Sequence, residues 1–279
     1  MPQRRIAVTG MGLVTPIGEA VDSFWDNLLL GRSGVRQVTL FDTTGFDVRI
    51  GGECTDFDAH RYIDRKAAKR MDRFTHFAVV AARAAFEHSG LEPSGFNPDR
   101  AGAIVGSGIG GLMELETQKQ RLLEKGPSKV SAFTIPKLMV NAASGNISIE
   151  LGLRGPSNAV ATACASGTDA MGSAIAMIRA NMADIIITGG SEAALTPLGL
   201  TAFAAMKALS SRDVPPEQAS CPFDADRDGF VLCEGAGILV FEEWEHARRR
   251  GARILAEMLG YGASADAGPN RPESRRPRA

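Results

Sequence analysis

The stretch Ser157-Asn-Ala-Val-Ala-Thr-Ala-Cys164-Ala-Ser-Gly-Thr-Asp-Ala-Met-Gly-Ser-Ala-Ile-Ala-Met-Ile178 passes from an extended apolar run, 157 to 162, into a helical one, 166 to 178. Cys164 stands at the turn between them. Backbone N–H groups and the positive end of a helix dipole favour a thiolate at such a place, and the thiolate is the reactive form. Ala163, Ala165, Ser166 and Gly167 are small enough for a tight turn and for a substrate carbonyl to approach the backbone. The pattern is a nucleophile elbow with sulfur in place of oxygen. Against it stands the commoner reading of a lone cysteine among alanines, a small buried hydrophobe, which the run alone favours.

Outward from this turn the chain alternates short β-like runs with longer helical ones, which predicts a layered α/β protein. Strands are expected at 6 to 9, 103 to 105, 184 to 188, 230 to 241 and from 254 to 261. The three consecutive isoleucines 185 to 187 suggest a strand buried on both faces, in a sheet covered by helices. Helices are expected at 23 to 30, capped by Asp22 or Ser23, and at 72 to 88, where Asp72 caps and Gly90 stops a stripe of Phe74, Phe77, Ala78, Ala81, Ala85 and Phe86. Others are expected at 112 to 124, at 136 to 151, after Cys164 to Ala180, at 197 to 209 and at 242 to 250. From Gly268 three prolines and four arginines with no large apolar residue predict a disordered tail.

Composition narrows the function classes. The 279 residues, 44% of them hydrophobic, suffice for one large or two ordinary domains. Thirty-one basic side chains balance thirty-two acidic ones, so nucleic acid and anionic membranes are not default partners. No run reaches the eighteen or so apolar residues of a membrane span. The N-terminal run is broken by Thr9, Gly10 and Gly12 before it can serve for export, so a soluble, cytoplasmic protein is expected. Cys54, Cys164, Cys221 and Cys233 show neither C-x-x-C pairing nor metal-ligand spacing with the four histidines, which predicts reduced thiols, no metal and no cofactor.

Two motifs mislead. Gly106-Ser-Gly-Ile-Gly-Gly111 satisfies G-x-G-x-x-G after a strand, but a charged helix follows where a dinucleotide fold needs a second strand ending in an acid. The glycines are expected to let a loop pack closely, as on the turn carrying Cys164. Asp224-Ala-Asp-Arg-Asp-Gly229 copies half a calcium loop, but position twelve is Gly235 and the following run is strand-like; a loop braced by charge pairs with Arg227 is expected.

Together with Val8-Thr-Gly-Met-Gly-Leu-Val-Thr-Pro-Ile-Gly18, Gly152-Leu-Arg-Gly-Pro-Ser157, Gly189-Gly-Ser-Glu192, Thr196-Pro-Leu-Gly199 and Pro222-Phe-Asp-Ala-Asp-Arg-Asp-Gly-Phe230, these runs stand in an order that resembles the elongating beta-ketoacyl-acyl carrier protein synthases of the thiolase superfamily. The resemblance implies a thiolase-like fold with a mixed sheet. It implies a synthase N-terminal domain over 1 to 253 and the start of a second domain at 254 to 267. It makes Cys164 the residue that takes an acyl group from acyl carrier protein, for decarboxylative condensation with malonyl-carrier protein in fatty acid biosynthesis. Ile109, Ala194, Gly199 and Phe203 would line the acyl pocket, and Phe133 would lie near a homodimer interface and serve the partner's pocket. The family's decarboxylation also needs two histidines, a lysine and a phenylalanine from its later half. His60, His76, His88 and His246 stand in none of those contexts, and the resemblance stops near Ala267. A C-terminally truncated or frame-shifted synthase is therefore expected, unable to complete turnover alone. Cys233 replaces a very small family residue and is expected to crowd its strand. A non-catalytic synthase-like partner subunit and a polyketide-type ketosynthase fragment remain as alternatives; retention of Cys164 argues against the first. A degradative thiolase, with other glycine surroundings and a late second cysteine, fits less well.

Overall fold

The computed structural model describes residues 3–265 and 267, so the tail expected from Gly268 lies outside the described residues. In chain order the elements are β1 (Ile6–Val14), α1 (Val21–Leu29), β2 (Val35–Gln37), β3 (Ile50–Gly52), α2 (Arg65–Ala68), α3 (Arg73–His88), β4 (Ala101–Gly106), α4 (Leu112–Lys125), α5 (Thr134–Leu138) and α6 (Ala142–Leu151). There follow β5 (Ser157–Val160), α7 (Ser166–Arg179), β6 (Ile185–Glu192), α8 (Pro197–Ala205), β7 (Gly235–Glu243), α9 (Trp244–Arg249) and β8 (Ala256–Glu257).

Six strands form one sheet in the order β5-β4-β6-β7-β1-β8, and β2 pairs with β3 apart from it. β4 runs parallel to β5 and β6, whereas β7 is antiparallel to β6 and β1. The sheet is therefore mixed, as the resemblance implied. The isoleucines of β6 show why it is covered twice. Ile185 and Ile187 pack with Phe74, Phe77, Ile238 and Val240 on the face of α3, while Ile186 packs with Ile104, Ile175, Ile178 and Phe241 on the face of α7. Alternate side chains of one strand thus enter two different cores.

Several elements differ from expectation for physical reasons. The helix expected over 136 to 151 is two, because the Leu138 carbonyl accepts from Gly111 N at 3.1 Å and Met139 turns extended. α1 starts at Ala20 with no side-chain cap; Ser23 Oγ instead donates back to the Ala20 carbonyl, leaving Asp22 and Ser23 inside the first turn. α8 stops at Ala205 in a Schellman-type end: Lys207 N donates to Ala204 O at 2.8 Å, Ala208 N donates to Phe203 O at 3.2 Å, and Lys207 has φ 56°. The segment 230 to 234 first pairs with Leu209 and Gly52, and joins the main sheet only from Gly235. The strand expected from 254 to 261 shortens to Ala256–Glu257, paired with Ala7 and Val8. Cys233 is accommodated by Gly52, where a Cβ would meet its sulfur well inside 3.0 Å. The stripe of α3 and its Asp72 cap are as expected.

Candidate active site

β5 ends at Val160, and three residues of tight turn, Ala163–Ala165, lead directly into α7. Cys164 occupies the middle of that turn and is exposed. The thiol therefore lies open to solvent beside a fourteen-residue helix N-terminus, and the reading of a buried hydrophobe is excluded. Ser166 braces the turn from within: its Oγ accepts from Thr162 N at 2.9 Å and donates to Ala163 O at 2.6 Å. Ala163 is held in the left-handed region at φ 52°. An L-residue there costs on the order of 1–3 kcal/mol, a strain typical of sites whose surroundings fix the backbone.

The glycine loop after β4 packs under this elbow. A Cβ on Gly106 would lie well inside 3.0 Å of the Ser166 carbonyl, and one on Gly108 would reach the Ala163 backbone at 3.4–3.5 Å. Gly167 and Gly190 meet face to face in the same layer, so the start of α7 rests on the bare backbone of β4 and β6. The loop thus packs closely on the turn carrying Cys164, as its composition suggested. Its polar centre is Glu192, at the end of β6. Glu192 Oε2 accepts from Gly108 N at 2.6 Å and Ile109 N at 3.1 Å, and Oε1 accepts from Ser107 Oγ at 3.2 Å. Burial pushes this carboxyl above its ordinary range, against the pull of those bonds.

The other expected site residues fall into two groups. Ala194 and Gly199 are buried, and Ala194 joins Leu112, Leu195, Leu200 and Leu209 in one apolar cluster with Phe203 packed against it. Phe203 meets Phe230 edge-on at 5.6 Å. Ile109 is half exposed and is tied through its N–H to Glu192, two residues before Ala194. Phe133 stands apart on the lead-in to α5, exposed, with the Arg70 guanidinium 5.2 Å from its ring centre.

The four histidines lie on other elements. His76 Nε2 donates to the Ala68 carbonyl at 2.9 Å, and burial holds it below its usual range. His246 Nδ1 donates to Glu242 at 2.5 Å. His88 contacts the Met11 carbonyl at 3.2 Å, and His60 lies in the turn Ala59–Arg61. Cys54 is buried and its thiol is pushed up to about 12 by desolvation, the opposite of a poised nucleophile. The loop 224 to 229 is held by Asp224, which takes the Asp226 N–H on its side chain and Arg227 on its carbonyl, and by Asp228, which accepts from Ser211 N. Reading the sequence did not assign roles to Ser166, Ser107 or Glu192. A glutamate closing the run Gly189-Gly-Ser-Glu192 at a strand end was the one available signal.

The family model described as "Beta-ketoacyl synthase, N-terminal domain" matches residues 3–247. The chain belongs to the beta-ketoacyl synthase family. It is 50% identical over 267 residues to a 3-oxoacyl-[acyl-carrier-protein] synthase 2 of Vibrio cholerae, covering 96% of this chain and 64% of that protein. The same-named protein of Synechocystis is 48% identical over the same shares. This beta-ketoacyl synthase chain thus spans 64% of the length of these curated relatives. Among solved structures it is similar to the ishigamide ketosynthase/chain length factor, with TM-score 0.87, 35% identity, and 95% and 64% of the two chains covered. It is also similar to a ketosynthase solved with its type II polyketide acyl-carrier protein and a hexaketide, with TM-score 0.81, 34% identity and the same coverage. Among the described residues no helix is long and apolar enough to cross a membrane.

Proposed function

We propose that this chain carries the acyl-accepting half of a 3-oxoacyl-[acyl-carrier-protein] synthase reaction in fatty acid biosynthesis. The observation that carries the reading is an exposed cysteine held in a strained, serine-braced turn at the start of α7. The Cys164 sulfur attacks the carbonyl carbon of an acyl-carrier thioester. A new C–S bond forms, the carrier's C–S bond breaks, and the proton lost by Cys164 ends on the released carrier thiol. Developing oxyanion charge is met by the Cys164 backbone N–H, and splitting transfer into two steps gives each a lower barrier. The acyl chain lies along Ile109, Ala194, Gly199 and Phe203, with Phe133 serving the pocket of a second copy.

The later condensation, in which malonyl-carrier protein loses carbon dioxide and its carbanion attacks the held acyl group, draws on groups this reading assigns to none of the four histidines. Intact-protein mass after mixing with an acyl-carrier thioester tests the proposal. One acyl mass should appear on the wild type and none on Cys164→Ala, with no carbon dioxide released from malonyl thioester by the chain alone. An adduct that survives in Cys164→Ala would overturn it.

A further inference from the structure

One feature of the site is not used by the transfer chemistry: the Glu192 carboxylate. It sits where two chain segments that never meet in sequence come together, the loop after β4 and the segment after β6. Oε2 takes two consecutive backbone N–H groups, Gly108 and Ile109, and Oε1 takes the Ser107 hydroxyl, whose oxygen in turn accepts from Gly110 N at 3.1 Å. Consecutive N–H groups turned to one side form an anion-binding nest, and here the anion is the protein's own side chain. Gly108 has no side chain of its own to fix its distance from the Ala163 backbone, and the loop carries the Gly110 residue at φ 80°. The ends of the loop are held by Ser107 N on the Val160 carbonyl and Gly111 N on the Leu138 carbonyl, while the N–H groups of Gly108 and Ile109 between them are taken by the carboxylate.

The consequence for the pocket follows from what each segment bears. Ile109 is the exposed apolar residue of the loop, and Ala194 is two residues beyond Glu192 on the other segment. The Glu192 oxygens, taken by two backbone N–H groups and the Ser107 hydroxyl, thus link the segment that bears Ala194 to the loop that bears Ile109.

We propose that Glu192 is a positioning residue that fixes the Ile109 wall against the Ala194 wall and thereby sets which acyl lengths Cys164 accepts; this rests on the function proposed above. Glu192→Ala removes all three bonds. Glu192→Gln keeps one oxygen that can accept from Gly108 and Ile109, with the Ser107 hydroxyl hydrogen free to turn away so that its oxygen accepts from the new amide N–H.

The test measures three rates on the wild type and both variants: acylation of Cys164 by butanoyl- and by dodecanoyl-carrier thioester, followed by intact mass, and alkylation of Cys164 by iodoacetamide. In Glu192→Ala the dodecanoyl rate should fall about tenfold more than the butanoyl rate, the scale expected when a reacting group is misplaced by a fraction of an ångström to an ångström. Alkylation should hold at the wild-type rate, and Glu192→Gln should recover most of the loss. A common fall in all three rates would mean general disruption and overturn the assignment, as would an unchanged length preference in Glu192→Ala or a Glu192→Gln as impaired as Glu192→Ala. A wild type that alkylates but accepts neither acyl group would refute the function itself, and the inference with it.

Discussion

Ser166 contributes two hydrogen bonds to the Cys164 turn from a single hydroxyl, and those two bonds span the strained residue. Thr162 N lies on one side of Ala163 and the Ala163 carbonyl on the other, both within 2.9 Å of the same oxygen. Ser166 is itself buried, and the Ala163 carbonyl also accepts from the Ser166 backbone N–H, so alanine there would take the side-chain partner only from the part-buried Thr162 N–H. A hydrogen bond of this kind contributes about 0.5–1.5 kcal/mol net, and the left-handed Ala163 loses the side-chain bonds that flank it. Ser166→Ala should therefore lower unfolding free energy by about 1 kcal/mol, read from denaturant midpoints, and slow iodoacetamide alkylation of Cys164. Wild-type stability in that variant would show that the turn is held elsewhere. At this scale the turn carrying Cys164 was legible because its small neighbours flag it. It did not disclose Ser166 or Glu192 as braces, because their partners are backbone atoms delivered by tertiary folding, and backbone atoms leave no trace in residue types.

Between elements, the decisive contact is α7 on the ends of β4 and β6, made through glycine backbone. Gly106 has ordinary extended geometry, so its requirement is space: a Cβ would collide with the Ser166 carbonyl and carbon and the Gly167 nitrogen, all backbone atoms with little room to yield. Gly106→Ala should push α7 off the sheet and cost about 3 kcal/mol or more, the upper range for overpacking, with loss of Cys164 acylation at temperatures where the variant stays folded. An alanine variant with an unchanged melting temperature would mean that the helix can shift freely. Elements whose burial pattern is strong were legible, notably α3 from its apolar stripe and β6 from three isoleucines that divide between two cores. Element ends were less so. The break between α5 and α6 depends on Gly111 taking the Leu138 carbonyl, a pairing of residues far apart in the chain. The end of α8 uses Lys207 in a left-handed position where glycine is the usual signal, so no stop was visible there.

Across the whole molecule, Asp184 ties the chain's beginning to its middle. Arg4 Nη2 donates to Oδ1 at 2.5 Å, and Arg100 reaches Oδ2 through Nε at 2.5 Å and Oδ1 through Nη2 at 2.9 Å. Arg4 precedes β1, Arg100 precedes β4 and Asp184 precedes β6, so one carboxylate fastens three strand starts at one end of the sheet. The Arg100 hydrogen bond first, and Arg4 after it, outweigh partial burial and hold the Asp184 carboxyl at about 2. An unfolded aspartate titrates near about 3.9, so this group binds its proton more weakly in the folded state. Its contribution to stability is present above about pH 4 and is lost as pH falls through about 2. With the side chain 22% exposed, screening reduces the ideal linkage value to about 1–2 kcal/mol. Asp184→Asn mimics the protonated form in shape and charge. The wild type should exceed Asp184→Asn by about that amount near neutral pH, and the gap should close as both are taken from about pH 5 to about pH 2, read as the difference between their urea midpoints. A gap that stays constant over that range would show that Asp184 acts through shape or packing and that its charge does not fasten the strands.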